Sequence, residues 1–133
     1  MTTPVSRILC VWLPNWPIQR LVVDRPELRR QQVVIFKRDS RRGQLIAAVS
    51  PLAKRNGVCI GMPLSEAKSL LRRGRGKHDF HVLEQNLNQD VAAIESLCQS
   101  LENFSPIVGL ETIDPLDFKH DKRPGALLLD ITG

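Results

Sequence analysis

The punctuation of residues 50–68 restricts this chain more than any other stretch. Ser50 can accept an orphan helix N–H, and Pro51 fits the first helical position, where its missing donor costs nothing. Gly57 can close that short helix in a left-handed conformation, and Gly61 permits a tight turn. Pro63 then opens a second helix to about residue 72, with Leu64, Ala67, Leu70 and Leu71 on one face and Glu66 and Lys68 outward. Val58 and Ile60 are expected to pack downward between the two. Just upstream, residues 33–37 and 45–49 are apolar strand-formers joined by a polar run from Arg38 to Gly43, which predicts a hairpin with a basic tip.

On either side the pattern changes. Residues 5–13 form an apolar, β-rich run without clean alternation, which predicts a central strand covered on both faces. Pro14 and Pro17 stop it. Residues 18–23 suit a short helical turn, and Pro26 disfavours helix at Arg25. After a basic linker at 72–77, residues 80–83 read as a strand and 86–103 as the longest helix, with Leu87, Val91, Ile94, Leu97, Cys98 and Leu101 at helical spacing. Strands at 107–113 and 126–131 follow, separated by a charged loop at 114–124 that holds Asp114, Asp117 and Asp121. The fold class is α/β (α+β), with a sheet-containing body at 1–20 and 78–133 and a small inserted lobe at 21–77.

With 133 residues, 42% of them hydrophobic, one core can form without disulfides or a structural metal. Cys10, Cys59 and Cys98 are odd in number and sit in apolar or helical patterns, so they read as buried reduced thiols of a cytosolic protein. No run of about 18 apolar residues is available to span a bilayer, and the amino terminus lacks a secretory signal. The expected location is the cytoplasm, with no membrane contact. A net charge of +5 favours an anionic partner. Arg72, Arg73, Arg75 and Lys77, spaced by Gly74 and Gly76, could follow a phosphate backbone without reading bases, or could form a solvated linker. Arg38, Arg41 and Arg42 are a second candidate. His78, His81 and His120 have no spacing for a metal or a triad, and Trp12 and Trp16 read as packing residues.

Four places, in order, carry a family resemblance: residues 8–16, residues 50–68, the run Phe104-Ser105-Pro106-Ile107-Val108, and Leu129-Asp130-Ile131-Thr132-Gly133. Together they resemble the amino-terminal palm and fingers of Y-family DNA polymerases. The resemblance implies a partial palm, a ferredoxin-like sheet with helices, carrying an inserted fingers lobe. In that family the first strand and the last supply carboxylates that hold Mg²⁺ for two-metal phosphoryl transfer.

At the matched positions this chain has Trp12 for the first Asp and Gly125-Ala126 for the Asp-Glu pair. Pro17 stands at the ribose-excluding aromatic and Pro51 at the Tyr that bonds the triphosphate. Lys54 keeps the charge of the family's Arg but not its fork. The expectation is therefore no metal, no cofactor and no enzyme activity. Trp12-Leu13-Pro14 and the closing Leu127 to Gly133 run resemble the ImuB proteins, inactive Y-family relatives of bacterial SOS-type DNA-damage mutagenesis. That resemblance implies an adaptor that holds primer-template DNA in translesion synthesis, alongside an error-prone polymerase, a RecA-like partner and the sliding clamp. Family members carry their clamp- and partner-binding segments beyond the fourth match. Two alternatives stay open. One is an active, Mg²⁺-dependent translesion nucleotidyltransferase fragment. The other is a vestigial truncated fragment without autonomous function, which would show an unsatisfied sheet edge or self-association.

Overall fold

The computed structural model describes residues 3–74, 79–110 and 125–132. Arg75, Lys77, His78, Asp114, Asp117, His120 and Asp121 lie outside the described residues. The chain divides into two compact units, residues 15–86 and residues 1–14 with 87–133.

The unit of residues 15–86 is built on the hairpin. Strands β2 (Gln32–Asp39) and β3 (Gly43–Val49) pair antiparallel, with a bulge between Ile35 and Phe36. Strand β4 (Phe80–Glu84) lies parallel to β2 on its other side, giving the order β3-β2-β4. β2 is thus the central strand, and its Val33, Val34, Ile35 and Phe36 are all buried. The sequence boundary at 77/78 assigns residues 80–84 to the other body. They pair here because β2 leaves a full ladder open to them, Gln32 to Phe36 against Phe80 to Glu84.

Each face of this sheet is covered by different helices. Val34, Phe36 and Ile46 pack with Ala53 of α2 (Pro51–Arg55), with Val58, and with Leu64, Ala67 and Leu71 of α3 (Leu64–Arg73). Val33, Ile35 and Ala48 pack with Ile18 of α1 (Trp16–Asp24) and with Leu28, which ends a 3₁₀ turn at Pro26–Leu28. Pro17, expected to stop the first strand, sits in the first turn of α1, where its ring is pre-set for helix.

The capping of residues 50–68 follows the sequence closely. The Ser50 hydroxyl accepts the Ala53 N–H at 3.3 Å and the Val33 N–H at 2.9 Å, and donates to the Gln31 carbonyl at 2.9 Å. One buried side chain thereby starts α2 and fixes the entry to β2. Gly57 and Gly61 have φ of 90° and 88°. The turn they allow runs beside β3, where the Gly61 N–H donates to the Ile46 carbonyl and the Ile46 N–H to the Met62 carbonyl, both at 2.8 Å. Val58 packs as expected, but Ile60 is exposed, because the two glycine turns rotate the segment between them outward.

The other unit holds the sheet β1-β6-β5, formed by β1 (Ile8–Trp12), β6 (Ala126–Asp130) and β5 (Val108–Leu110), all antiparallel. Helix α4 (Leu87–Leu101) contacts β5. Ile94 of α4 is buried, as are Leu127 and Leu129 on one face of β6. The expectation of a doubly covered first strand is corrected: among the described residues β1 pairs only with β6, and four of its five residues are exposed. Uniform apolarity marked a strand but could not say how many faces are covered. The cysteine expectation is corrected too. Cys10 lies on the open side of β1 and Cys59 in the turn after α2, both exposed, while Cys98 is half-buried in α4. All three are free thiols.

Candidate nucleic-acid interface and nucleotide-site positions

Strand pairing brings together the three positions at which the resemblance predicts carboxylates. Trp12 stands opposite Ala126 at the end of the β1-β6 ladder, and the Leu13 N–H donates to the Gly125 carbonyl at 2.7 Å. Alternation puts Ile8, Cys10 and Trp12 of β1 on the same face as Ala126, Leu128 and Asp130 of β6. Trp12 is 72% exposed there. An indole, a methyl and a hydrogen provide no oxygen ligand, so the side chains at these positions do not fit the Mg²⁺ that the family implies. Among the described residues no group of three or more His, Cys, Asp or Glu is placed to hold a metal.

Asp130, the acidic residue on that face, lies at the opposite end of the ladder, across from Ile8. The Thr132 hydroxyl donates to its carboxylate, as does the Thr132 N–H at 2.9 Å. These bonds hold the Asp130 carboxyl below its usual range. The neighbouring Ser105 hydroxyl donates to the Asp130 carbonyl at 2.6 Å and accepts the Ile107 N–H at 3.3 Å. The third and fourth places of the family resemblance are therefore joined through one buried serine.

The remaining nucleotide-site positions lie in the unit of residues 15–86. Pro17 is buried in the first turn of α1. Pro51 is exposed at the start of α2, and Lys54 is exposed in its last turn. Within this unit the Asn15 amide donates to the Val49 carbonyl at 3.0 Å, tying the start of α1 to the end of β3.

The same unit carries the described arginines of the proposed interface. At the hairpin tip the Asp39 carboxylate accepts the Arg41 and Arg42 N–H groups at 2.9 and 2.8 Å, and these two bonds draw its carboxyl below the ordinary range. Arg42 also pairs with Asp39 at 3.5 Å, and Arg38 with Glu84 at 2.8 Å, a bond that raises the Arg38 guanidinium further above its usual value. Two of the three tip arginines thus already have a carboxylate partner, and such exposed pairs exchange readily with a stronger anion. Arg72 and Arg73 are exposed in the last turn of α3, where cations complement the helix dipole. Arg29 and Arg30 escaped the sequence reading, which weighs Arg55 only beside Lys54, as a residual phosphate contact; all three meet in the structure. They line one groove but come from separate segments, so no local motif marks them.

The fold by itself defines a class of protein. It is similar to the crystal structure of DinB from Sulfolobus solfataricus, with a TM-score of 0.68 and 16% identity. The likeness covers 95% of this chain and 32% of that one, so the chain spans about a third of the DinB length. This is the mixed α/β architecture of the DinB palm region.

Residues 11–117 match the impB/mucB/samB family, and the chain belongs to that family of Y-family polymerase domains. A comparison with curated proteins finds no match. The family assignment corrects the expectation of no enzyme activity. The chain belongs to a family of DNA polymerases on a DinB-like fold, and replacement of three side chains does not remove it from that class. No described helix is long and apolar enough to cross a membrane.

Proposed function

We propose that this chain is the DNA-holding palm and fingers portion of a Y-family polymerase-type protein that works in bacterial translesion synthesis after DNA damage, in the cytoplasm. The observation that carries the proposal is the family match over residues 11–117 on a DinB-like fold. Its finer part is an adaptor role of the ImuB kind, in which primer-template DNA is held through phosphate contacts while an error-prone polymerase, a RecA-like protein and the sliding clamp assemble. The apolar side chains of Trp12 and Ala126 support that part, as do the exposed arginines at 38, 41, 42, 72 and 73. Arg75 and Lys77 extend the second cluster in sequence.

The test is fluorescence anisotropy of a labelled primer-template across a salt series, with the chain and with its Arg72→Ala, Arg73→Ala, Arg75→Ala variant. Affinity should fall linearly in log–log salt, and the slope should shrink by up to about 3 in the triple variant. Absence of binding at low salt would reject the DNA-holding role.

A second reading, nucleotidyl transfer, is favoured by the family assignment itself. It predicts Mg²⁺-dependent extension of the primer, and incorporation that persists in a Trp12→Ala variant would favour it over the adaptor.

A further inference from the structure

A groove of about 800 Å³ lies in the unit of residues 15–86; Pro51, at the family's triphosphate-Tyr position, reaches its edge, while the proposed DNA contacts at Arg38, Arg41, Arg42, Arg72 and Arg73 are not part of its lining. Its floor rests on the buried Ile18 and Leu28. On α1, the pairs Ile18/Val22 and Gln19/Val23 are each four residues apart, so two adjacent rows of one helix line the same groove. Leu52 of α2 also lines it. Val23, beside Val22 on α1, is 76% exposed.

Arg29, Arg30 and Arg55 also line this groove. All three are exposed, and none forms an ion pair among the described residues. They differ in this from Arg38 and Arg42, which have carboxylate partners. Arg30 moreover holds a left-handed backbone with φ of 66°, the one described non-glycine residue to do so. Such a conformation is disfavoured for a residue with a Cβ, and an arginine occupies it.

We infer that this groove docks an acidic amphipathic helix of a protein partner, its apolar row on Val22, Val23 and Leu52 and its flanking carboxylates on Arg29, Arg30 and Arg55. An apolar floor with cationic walls matches that chemistry, the helix-in-groove mode of recognition. Nucleic acid fits less well. A phosphate backbone would use the arginines but would bury Val22, Val23 and Leu52 against nothing apolar. Arg–carboxylate forks would set the register, and burial of the aliphatic row would supply most of the affinity.

The test is an NMR titration of the ¹⁵N-labelled chain with three probes: a 16-residue peptide with leucines at helical spacing and glutamates beside them, the same peptide with lysine for every glutamate, and a 12-base-pair duplex. The acidic peptide should shift the amides of Val22, Val23, Arg30 and Leu52, and the lysine peptide should bind at least tenfold more weakly. The Arg29→Glu, Arg55→Glu double variant should lose tenfold or more in affinity for the acidic peptide. Arg30→Gly, which keeps the backbone conformation without strain, should lose about threefold. Equal binding of the two peptides, absence of shifts at these amides at millimolar acidic peptide, or stronger shifts there from the duplex would each overturn the inference. The last outcome would assign the groove to nucleic acid. The inference does not depend on the DNA-holding role, because its probe and its variants leave Arg72 and Arg73 untouched.

Discussion

The two sheets of this protein begin with similar material and end differently. β2 carries Val33, Val34, Ile35 and Phe36 with both faces covered, whereas β1 carries Ile8, Leu9, Cys10, Val11 and Trp12 with most of it exposed. Apolar composition is nearly the same in the two strands. What differs is the helices: α1 covers one face of β2, and α2 with α3 covers the other. Burial is thus set by the elements a strand meets and not by the strand itself. The DNA-holding role proposed for this chain draws on the unit with the more covered sheet, which carries the basic hairpin tip and the arginines at the end of α3.

The comparison is most easily broken at its centre. Ile46, fully buried in β3, should cost about 3–4 kcal/mol when changed to Ala, because it leaves a cavity between β2 and the α2-α3 pair. Urea unfolding would measure this, and a loss below about 1 kcal/mol would mean that this core is far looser than its burial implies. Ser50→Ala should come next, at about 2 kcal/mol. It removes the α2 cap and leaves the Val33 N–H without its hydroxyl partner. A cost no greater than that of an ordinary surface change would show that water replaces the hydroxyl.

Arg30→Gly should act in the opposite direction. Release of the left-handed strain, less the added freedom of the unfolded chain, should stabilise the protein by about 0.5–1 kcal/mol, read as a rise in melting temperature. Trp12→Ala in the open sheet should be nearly neutral, within about 0.5 kcal/mol, and a large loss there would erase the contrast between the sheets.

The smallest expected effect is on pH dependence. The carboxyl of Asp39 is lowered chiefly by the Arg41 N–H, and that of Asp130 chiefly by the Thr132 hydroxyl. Both contributions to stability are therefore complete above the unfolded value of about 3.9 and disappear as pH falls through the lower folded values. Carbon-detected NMR titration should give both midpoints below about 3.9. A midpoint at or above that value for either would mean its hydrogen bonds do not persist in solution.

What the sequence disclosed was mostly local. Ser50, Pro51, Gly57, Gly61 and Pro63 announced two helices and two turns because caps and positive φ are decided within a few residues. The hairpin was legible for the same reason. The parallel pairing of β4 with β2 was not, because a crossover strand finds its partner through tertiary packing and no short-range signal reports it. The site falls on the tertiary side of that line. Register places Trp12 against Ala126, a pairing that only the assembled sheet reports. Arg29, Arg30 and Arg55 meet around one groove only once the sheet has assembled.

The exposed thiols give each unit an independent reporter. Cys10 on the open face of β1 and Cys59 in the turn after α2 belong to different units, and both are accessible to reagent in the folded state, whereas Cys98 is half-buried in α4. A fluorophore on Cys59 would follow the fully packed unit, and one on Cys10 the other. Under an oxidant the same two positions can crosslink neighbouring molecules, two links per chain, so the oxidation state of the preparation sets whether any measurement reads single chains or linked ones.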